Sequence, residues 1–216
     1  MASRRQRWEL VAAERIALAD RAVTLDPGQW DAPSRCEGWR VRDVLAHLVH
    51  MAESTWRSMS GDLRAQAGRD RDRGFLLCAR ELGKQPVPEL ADRLRRAAAS
   101  HYSGMPKVAL SEIAVHQDDM LRPLGLSPRL DPATVVAALD VLRRVDRWMP
   151  KLAFHGPSHR HVRLVATDTD WSSGRGPEVQ GRALDLLALL GNRRGAGEGL
   201  SGPGVERLPV PGAATP

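Results

Sequence analysis

The 216-residue sequence has little of several features on which whole classes of protein depend. It contains two cysteines, Cys36 and Cys78, far apart and in no metal-binding or redox spacing, which excludes a disulfide framework. No apolar run approaches the roughly 20 residues that span a bilayer. The N-terminus leads into an amphipathic segment instead of an apolar signal core, so we expect a cytoplasmic protein with no membrane partner.

Tyrosine and phenylalanine are scarce as well, with one and two residues respectively. The net charge of +6 and the pI near 10.3 invite a nucleic-acid interpretation, but the excess is arginine spread along the chain, with no dense basic stripe. Few side chains are available for bases to stack on. We therefore expect no nucleic-acid partner, since anionic small molecules or plain solubility explain the charge equally well.

What the sequence does have is helical periodicity. Apolar positions recur at helical spacing in four segments, at about residues 3–25, 40–61, 89–101 and 107–124. Four helices of this length joined by modest loops are typical of an antiparallel four-helix bundle. We predict a loop at residues 29–39, a mobile loop or ragged helix at 64–74, and a short apolar run at 75–79.

The pattern changes beyond residue 128. A fifth helix is predicted from residue 131 to 149, then a strand at 162–166, a turn, a partner strand beginning near Trp171, and a last helix at 181–190. The predicted fold class is therefore mainly α, with a helical bundle at residues 1–128 and a small α/β domain at 129–194. Residues 195–216 are rich in glycine and proline and are predicted to form a flexible tail.

A carboxylate and an imidazole stand four residues apart in the fourth predicted helix, as Glu112 and His116. This spacing puts both on one helix face, where a single cation could touch them. A simple Glu–His hydrogen bond or a solvated face explains the pair as well. His47, on the second helix, lies inward or nearly so; facing bundle helices could bring it to the pair, although a lone histidine there is more often a core residue. Two nitrogens and one oxygen with an open fourth position are typical of catalytic zinc.

Two segments resemble the signatures of a known family. Residues 36–48, Cys-Glu-Gly-Trp-Arg-Val-Arg-Asp-Val-Leu-Ala-His-Leu, are similar to the first signature of the mycothiol-dependent maleylpyruvate isomerase family, within the DinB-like metalloprotein superfamily. Residues 112–119, followed by Leu124-Gly125, resemble the second, and residues 162–194 resemble the family's small C-terminal domain. The resemblance implies a DinB-like four-helix bundle that holds a divalent ion, most often zinc, through His47, Glu112 and His116.

The resemblance also implies an enzyme that uses a low-molecular-weight thiol such as mycothiol as cosubstrate. The thiolate would serve either the cis-trans isomerisation of a maleylpyruvate-like unsaturated acid or thiol transfer to an electrophile. Asp119 matches an acidic position and is a candidate for orienting an imidazole, with an exposed helix charge as the alternative. Arg193 and Arg194 are candidates for binding substrate carboxylates, although the helix dipole also favours arginine there. Cys36 is interpreted as loop packing.

Another class of function remains open at this point. DinB-like bundles also occur as metal-binding proteins without assigned activity, so a non-catalytic stress or partner-binding dimer is the main alternative. Retention of all three candidate ligands argues mildly against it. A biosynthetic enzyme that has repurposed the bundle would look identical in sequence, and the chain is expected to be a monomer or a homodimer.

Overall fold

The structure is a computed structural model that describes residues 3–68, 70–101, 104–148, 158–193 and 195–208. The chain divides into two compact units, Met1–Leu130 and Asp131–Pro216. The first is helical and the second combines helices with a small sheet, so the predicted fold class is confirmed. Within the described residues, no helix is both long and apolar enough to cross a lipid bilayer.

The first unit consists of helices joined by short connections. Their bounds are α1 (Arg4–Ala22), α2 (Pro27–Asp31), α3 (Val41–Glu53), α4 (Trp56–Ala67), α5 (Arg71–Leu82), α6 (Val87–Arg96) and α7 (Pro106–Leu121), with a 3-10 turn (Arg122–Leu124) after α7. Helix α1 packs against α6 and α7, and α3 packs against the same two helices. These four are the helices that periodicity predicts for the bundle. Its largest fully buried side chains are Val11, Leu18, Leu45, Leu90, Leu94, Leu110, Met120 and Leu121.

The second predicted helix is two helices in the structure, which corrects the expectation of one helix from residue 40 to 61. The backbone of Ser54 is extended, and the Thr55 side chain accepts a hydrogen bond from the Ser58 backbone to start α4. Serine and threonine hydroxyls offer backbone groups an alternative partner, and therefore favour helix starts over helix interiors.

Helix α5 occupies the region that we predict to be a mobile loop or ragged helix followed by an apolar run. Asp70 caps its start by accepting a hydrogen bond from the Arg73 backbone, 2.9 Å away. Gly74 lies where α5 touches α4, and a Cβ there would stand 2.9 Å from the carbonyl oxygen of Leu63. The glycine that weakens the helical pattern in the sequence is therefore required for close helix packing.

Helix α7 carries two candidate ligands and has clear sequence signals at both ends. It begins at Pro106, a residue favoured in the first helical turn because it has no N–H to leave unpaired. After the 3-10 turn, Gly125 adopts a φ of 70°, the left-handed conformation that commonly ends helices. The predicted fourth helix, ending near residue 124, is confirmed.

The second unit contains α8 (Pro132–Trp148), β1 (Arg163–Ala166), β2 (Ser172–Gly174), β3 (Glu178–Gly181) and α9 (Ala183–Leu190). The strand order is β2-β1-β3, with β1 antiparallel to β2 and parallel to β3. Helix α9 packs against α8 and the sheet. The predicted helices, first strand and partner strand are confirmed, whereas β3 is an additional strand that sequence analysis missed.

The segment that we predict to be a flexible tail is partly folded. The backbones of Gln180 and Ser201 exchange hydrogen bonds of 2.7 and 2.8 Å, and the Gly204 N–H donates to the Glu178 carbonyl. A short 3-10 helix follows at Val205–Arg207. Residues 195–208 therefore pack against the free side of β3, because an unpaired strand edge offers hydrogen-bonding groups. The rest of the predicted tail, 209–216, lies outside the described residues.

Candidate metal centre

Helices α3 and α7 bring three predicted ligands together. Nε2 of His47 lies 3.6 Å from Oε2 of Glu112, and Nε2 of His116 lies 3.3 Å from the same oxygen. The His47 and His116 rings meet nearly edge to face, 5.0 Å apart between their centres. Both imidazoles are buried, whereas the Glu112 side chain is 32% exposed. The i and i+4 positions on α7 thus share one face, as their spacing predicts.

The spacing of these three atoms suits a single small cation. One ligand atom from each of His47, Glu112 and His116 lies within 4.8 Å of the other two. Ligands bound at about 2.0–2.1 Å around a tetrahedral zinc ion stand about 3.3–3.4 Å apart. The two measured separations of 3.3 and 3.6 Å are close to that value. The donor set therefore fits zinc or a similar divalent ion.

Asp119 lies on the Nδ1 side of the His116 ring, opposite the nitrogen that faces Glu112. Its fully buried carboxylate lies 3.0 Å from Nδ1 of His116. When Nδ1–H donates to this carboxylate, Nε2 is the nitrogen that faces Glu112, and it can bind a cation after losing its own proton. A carboxylate behind a ligating histidine is a common way to fix its tautomer and ring orientation. The alternative of an exposed helix charge is wrong, because the Asp119 side chain has no exposed surface.

Electrostatics distinguish the three groups. Burial lowers the pKa of His47, which favours its neutral imidazole. Burial alone would raise the pKa of Glu112, but hydrogen bonds with His116 and His47 outweigh it and hold that pKa well below its usual range. Burial also opposes charge on His116, yet its bonds to Asp119 and Glu112 raise its pKa well above the ordinary value. The site thus contains an ionised carboxylate, Glu112, and an imidazole, His116, that binds a proton more strongly than an ordinary histidine.

The loop before α3 reaches the end of α7 and places Cys36 beside the site. The Arg35 N–H donates to the carbonyl of Asp119, and its guanidinium donates to Asp118 at 2.7 Å. The Cys36 thiol donates to Oδ2 of Asp119 at 3.2 Å and lies 3.9 Å from Nδ1 of His116. The cysteine is therefore on the Nδ1 side of the imidazole, away from the nitrogen that faces Glu112. Spacing in the sequence gives no signal for this contact.

Aromatic rings enclose His47. The Trp39 ring lies 5.5 Å from the imidazole and the Phe75 ring 5.2 Å, both edge to face. Nδ1 of His47 is buried and has no hydrogen-bond partner among the described residues. Glu112 and the His116 ring thus lie on one side of this imidazole, and two aromatic rings pack against it as well. Phe75 comes from α5, a helix that the sequence pattern does not predict, so its role could not be found beforehand.

A small cavity in the bundle lies next to Glu112. Its volume is about 20 Å³, enough for about one water molecule, and Arg15 lines it as well. The Arg15 guanidinium donates through Nη1 to the carbonyls of residues 97, 98 and 100 at 2.9–3.2 Å. Burial lowers the pKa of Arg15 to about 10. This cavity is too small for an organic substrate, and Arg15 stabilises the end of α6.

Two further side chains on α3, those of His50 and Glu53, form ion pairs with neighbouring helices. Nε2 of His50 lies 3.0 Å from the Asp62 carboxylate, and Glu53 accepts a hydrogen bond from Nε of Arg93 at 3.0 Å. His50 and Glu53 thus connect α3 to α4 and α6. Neither belongs to the three-ligand cluster.

The structure describes only one of the two predicted substrate-binding arginines. Arg193 follows the C-terminus of α9 in the second unit, where its Nη1 donates to the carbonyl of Gly191 at 3.0 Å. Arg194 lies outside the described residues. A cation at this place also suits the helix dipole. Substrate binding by either arginine stays a prediction.

Comparison with known proteins supports the same family as the two sequence motifs. Residues 11–108 match the family model of the mycothiol maleylpyruvate isomerase N-terminal domain. The chain is similar to the crystal structure of a mycothiol-dependent maleylpyruvate isomerase, with 14% identity, a TM-score of 0.59, and coverage of 97% of this chain and 95% of that chain. A crystal structure of a histidine-to-alanine mutant of such an isomerase gives a TM-score of 0.56 at the same identity and coverage. No curated protein matches the chain.

The matched range includes the first motif, at residues 36–48, and ends before the second, at 112–119. At 14% identity the structural likeness shows a shared fold, and it extends over both units. The predicted resemblance is therefore confirmed: residues 11–108 match the N-terminal domain model of the mycothiol maleylpyruvate isomerase family, and the chain shares the fold of the solved isomerases.

Proposed function

We propose that this protein is a zinc-dependent enzyme, or one using another divalent ion, that employs mycothiol or a similar small thiol. Its reaction is the cis-trans isomerisation of a maleylpyruvate-like unsaturated acid or the transfer of the thiol to an electrophile. One observation carries the proposal: His47, Glu112 and His116 offer three ligand atoms within 4.8 Å of one another. Three protein ligands leave a coordination position for a reactant, as in catalytic zinc sites.

The ligand set suits a thiol as the fourth partner. A divalent ion bound there supplies Lewis acidity, which favours the nucleophilic thiolate form of a coordinated thiol. Glu112 supplies one negative charge, and the two imidazoles bind as neutral groups. The protein charge therefore leaves one positive charge of the ion uncompensated, which favours an anionic ligand.

The surrounding residues hold this ligand set in place. Asp119 accepts the Nδ1 proton of His116 and keeps Nε2 directed toward the ion position. The Trp39 and Phe75 rings limit water around His47 and the directions in which its imidazole can turn. Cys36 bonds to Asp119 and stays on the far side of the imidazole, so the nucleophile in this proposal is the external thiol.

The isomerase and transferase reactions share the step in which the thiolate adds to an electrophilic carbon. In isomerisation the addition turns a double bond into a single bond, rotation follows, and the thiolate leaves again. In transfer the new carbon–sulfur bond remains. The family of the N-terminal domain and the likeness to solved maleylpyruvate isomerases favour the isomerase.

A non-catalytic metal-binding bundle that acts as a dimer is the alternative. It shares the three ligands but needs no thiol and no accessible coordination position. The two functions therefore differ in what the metal-loaded protein does with a thiol and an acceptor.

The test combines metal analysis with activity. Protein purified without chelator or affinity nickel is measured by inductively coupled plasma mass spectrometry, and then assayed with mycothiol and maleylpyruvate, and with mycothiol and a chromogenic electrophile. We expect about one zinc per chain and a thiol-dependent turnover that chelation abolishes and added zinc restores. Stoichiometric zinc without turnover in either assay would favour the non-catalytic bundle. Failure to bind zinc on titration would contradict the metal site itself.

A further inference from the structure

The second unit contains a cavity that the proposed reaction does not use. Its volume is about 530 Å³, and Arg143, Arg147, Arg160 and Arg175 line it together with residues 173 and 174. No carboxylate is among its described lining residues. The size lies within the range of small-molecule pockets, about 300–1,000 Å³. Four guanidinium groups thus line one cavity, which we call the arginine pocket.

Arg143 forms the fixed wall of the arginine pocket. Its side chain is 9% exposed, and Nη1 donates to the Asp146 carboxylate and to the carbonyl of His159, both at 3.0 Å. Nη2 donates to the carbonyl of Val162 at 2.9 Å. Because these bonds hold the guanidinium in one orientation, no side-chain entropy is lost there when a ligand binds.

Gly174 allows the Arg143 guanidinium to lie against the end of β2. The glycine has a φ of 101°, a conformation that other residues rarely adopt, and a Cβ there would stand 2.2 Å from Nη2 of Arg143. It would also stand 2.5 Å from the carbonyl of Val162. The backbone at this point is thus shaped around the arginine, and the neighbouring Ser173 contributes a hydroxyl to the lining.

Arg160 and Arg175 supply the uncompensated charge. Both are exposed, and neither forms an ion pair or side-chain hydrogen bond with any described residue. Two other exposed arginines of this unit do have partners: Arg163 pairs with Glu178 at 3.1 Å, and Arg182 with Asp168 at 3.3 Å. Arg160 and Arg175 thus place two unpaired cations on the lining of one cavity.

We propose that the arginine pocket binds a small polyanion, with its charges on phosphoryl groups or on paired carboxylates. The planar guanidinium donates two parallel hydrogen bonds to either kind of group, and such charge-assisted bonds are stronger than neutral ones. Arg160 and Arg175 contact the ligand, Arg143 fixes the wall, and the Ser173 hydroxyl donates to a ligand oxygen. The site consists of residues of the second unit alone, and includes neither the metal ligands nor Arg193.

The test is a titration of full-length, 15N-labelled protein at low ionic strength, followed by nuclear magnetic resonance. One arm uses inorganic pyrophosphate and the other uses succinate. We expect saturable shifts of the Ser173 and Gly174 amide signals. The arm with the tighter binding identifies the source of the charge.

A matched pair of double variants decides the role of the arginines. Arg160→Gln/Arg175→Gln removes the two unpaired cations, and we expect affinity to fall about tenfold or more because two charge-assisted contacts are lost. Arg129→Gln/Arg144→Gln removes the same charge from exposed positions outside the lining, and should change affinity less than about twofold. All four positions are exposed, so both variants should fold.

Three results would overturn the proposal. The first is the absence of saturable shifts at residues 173 and 174 with both anions. The second is an equal loss of affinity in the two double variants, which would assign the binding to net charge. The third is binding of a short oligonucleotide, seen as shifts at residues 173 and 174, at concentrations where neither small anion binds, which would assign the surface to nucleic acid.

Discussion

The two units gather opposite kinds of polar group around their sites. In the first, lone pairs on two imidazoles and a carboxylate converge within 4.8 Å, whereas in the second, N–H groups of four arginines surround a cavity. Converging acceptors require a cation and converging guanidinium groups require an anion. The hydrogen-bonding groups at each site thus predict a cation in the first unit and an anion in the second, even though the protein as a whole is basic.

The two sites nevertheless share a supporting device. A buried aspartate lies behind each one: Asp119 behind His116, and Asp146 behind Arg143. Each carboxylate faces a side chain that in turn faces the site. We therefore expect changes to Asp119 or His116 to affect metal binding. Changes to Asp146 or Arg143 should affect the stability of the second unit.

The largest effect is expected for His47→Ala. Four-ligand structural zinc sites supply about 10–16 kcal/mol in total, so the loss of one ligand, about 2.5–4 kcal/mol, should weaken zinc binding by roughly 100- to 1,000-fold. Competition with a chromogenic chelator measures this change. His50→Ala is the matched control, because His50 lies on the same helix but pairs with Asp62. Equal losses in both variants would show that α3 packing, and not ligation, explains the effect.

Asp146→Asn should reduce the free energy of unfolding by about 3 kcal/mol at pH 7, because it leaves the buried Arg143 cation without its counter-charge. Burial alone would raise the pKa of Asp146, but bonds from His159 and the charge of Arg143 outweigh it and lower that pKa below its ordinary 3.8. The stabilisation is therefore present above pH 3.8 and lost as pH falls through the lower folded-state value. Urea unfolding at several pH values measures it.

The control for this variant is Asp170→Asn, at an exposed carboxylate in the turn between β1 and β2. It should change the unfolding free energy by less than about 0.5 kcal/mol. Zinc affinity should stay the same in both variants. A loss of zinc binding in Asp146→Asn would contradict a metal site that depends on residues of the first unit alone.

Asp119→Asn should weaken zinc binding by about 10- to 100-fold, as is typical when the partner of a ligating histidine is changed. The amide keeps a similar shape but lacks the charge that holds the Nδ1 proton of His116. Asp118→Asn is the neighbouring control, because Asp118 accepts hydrogen bonds from Arg35 and Arg122 and touches no candidate ligand. Zinc competition should separate the two variants by at least about fivefold if Asp119 orients the imidazole.

Cys36→Ala should have the smallest effect. A thiol is a weak hydrogen-bond donor, so losing its bond to Asp119 should change zinc affinity by about threefold or less. Thiol-dependent turnover should persist, since the external thiol is the proposed nucleophile. Abolished turnover at unchanged zinc content would instead make Cys36 the reactive group.

Helical periodicity predicted the bundle helices, and residue spacing and motif resemblance grouped the three candidate ligands. Glu112 and His116 share a helix face by spacing alone, and His47 joined them through a motif resemblance. The contact between Cys36 and Asp119 was not predictable, because it depends on how a loop folds back onto the end of α7. No local pattern relates residues brought together in this way.

Helix α5 and the arginine pocket were missed for related reasons. Gly74 and the surrounding charges hide the helical pattern of α5, although the glycine is what lets it approach α4. Arg143, Arg160 and Arg175 lie on a helix, a turn and a strand end, and they meet only after β1 and β2 pair. Periodicity predicts one helix or strand at a time, so it does not show which residues of different elements meet in the folded protein.

The loop before α3 has a consequence for how an ion would bind at the proposed site. Its two ends are joined by hydrogen bonds between Ser34 and Trp39 and between Ala32 and Val41, while Arg35 is anchored twice to the end of α7. These hydrogen bonds hold the start of α3 against the end of α7, and these two helices carry the three candidate ligands. The site is therefore preorganised, unlike a zinc finger, whose chain folds only with its metal. The conformational entropy of the candidate ligands is lost when the chain folds and not when the ion binds. The ion should therefore enter and leave without unfolding the bundle.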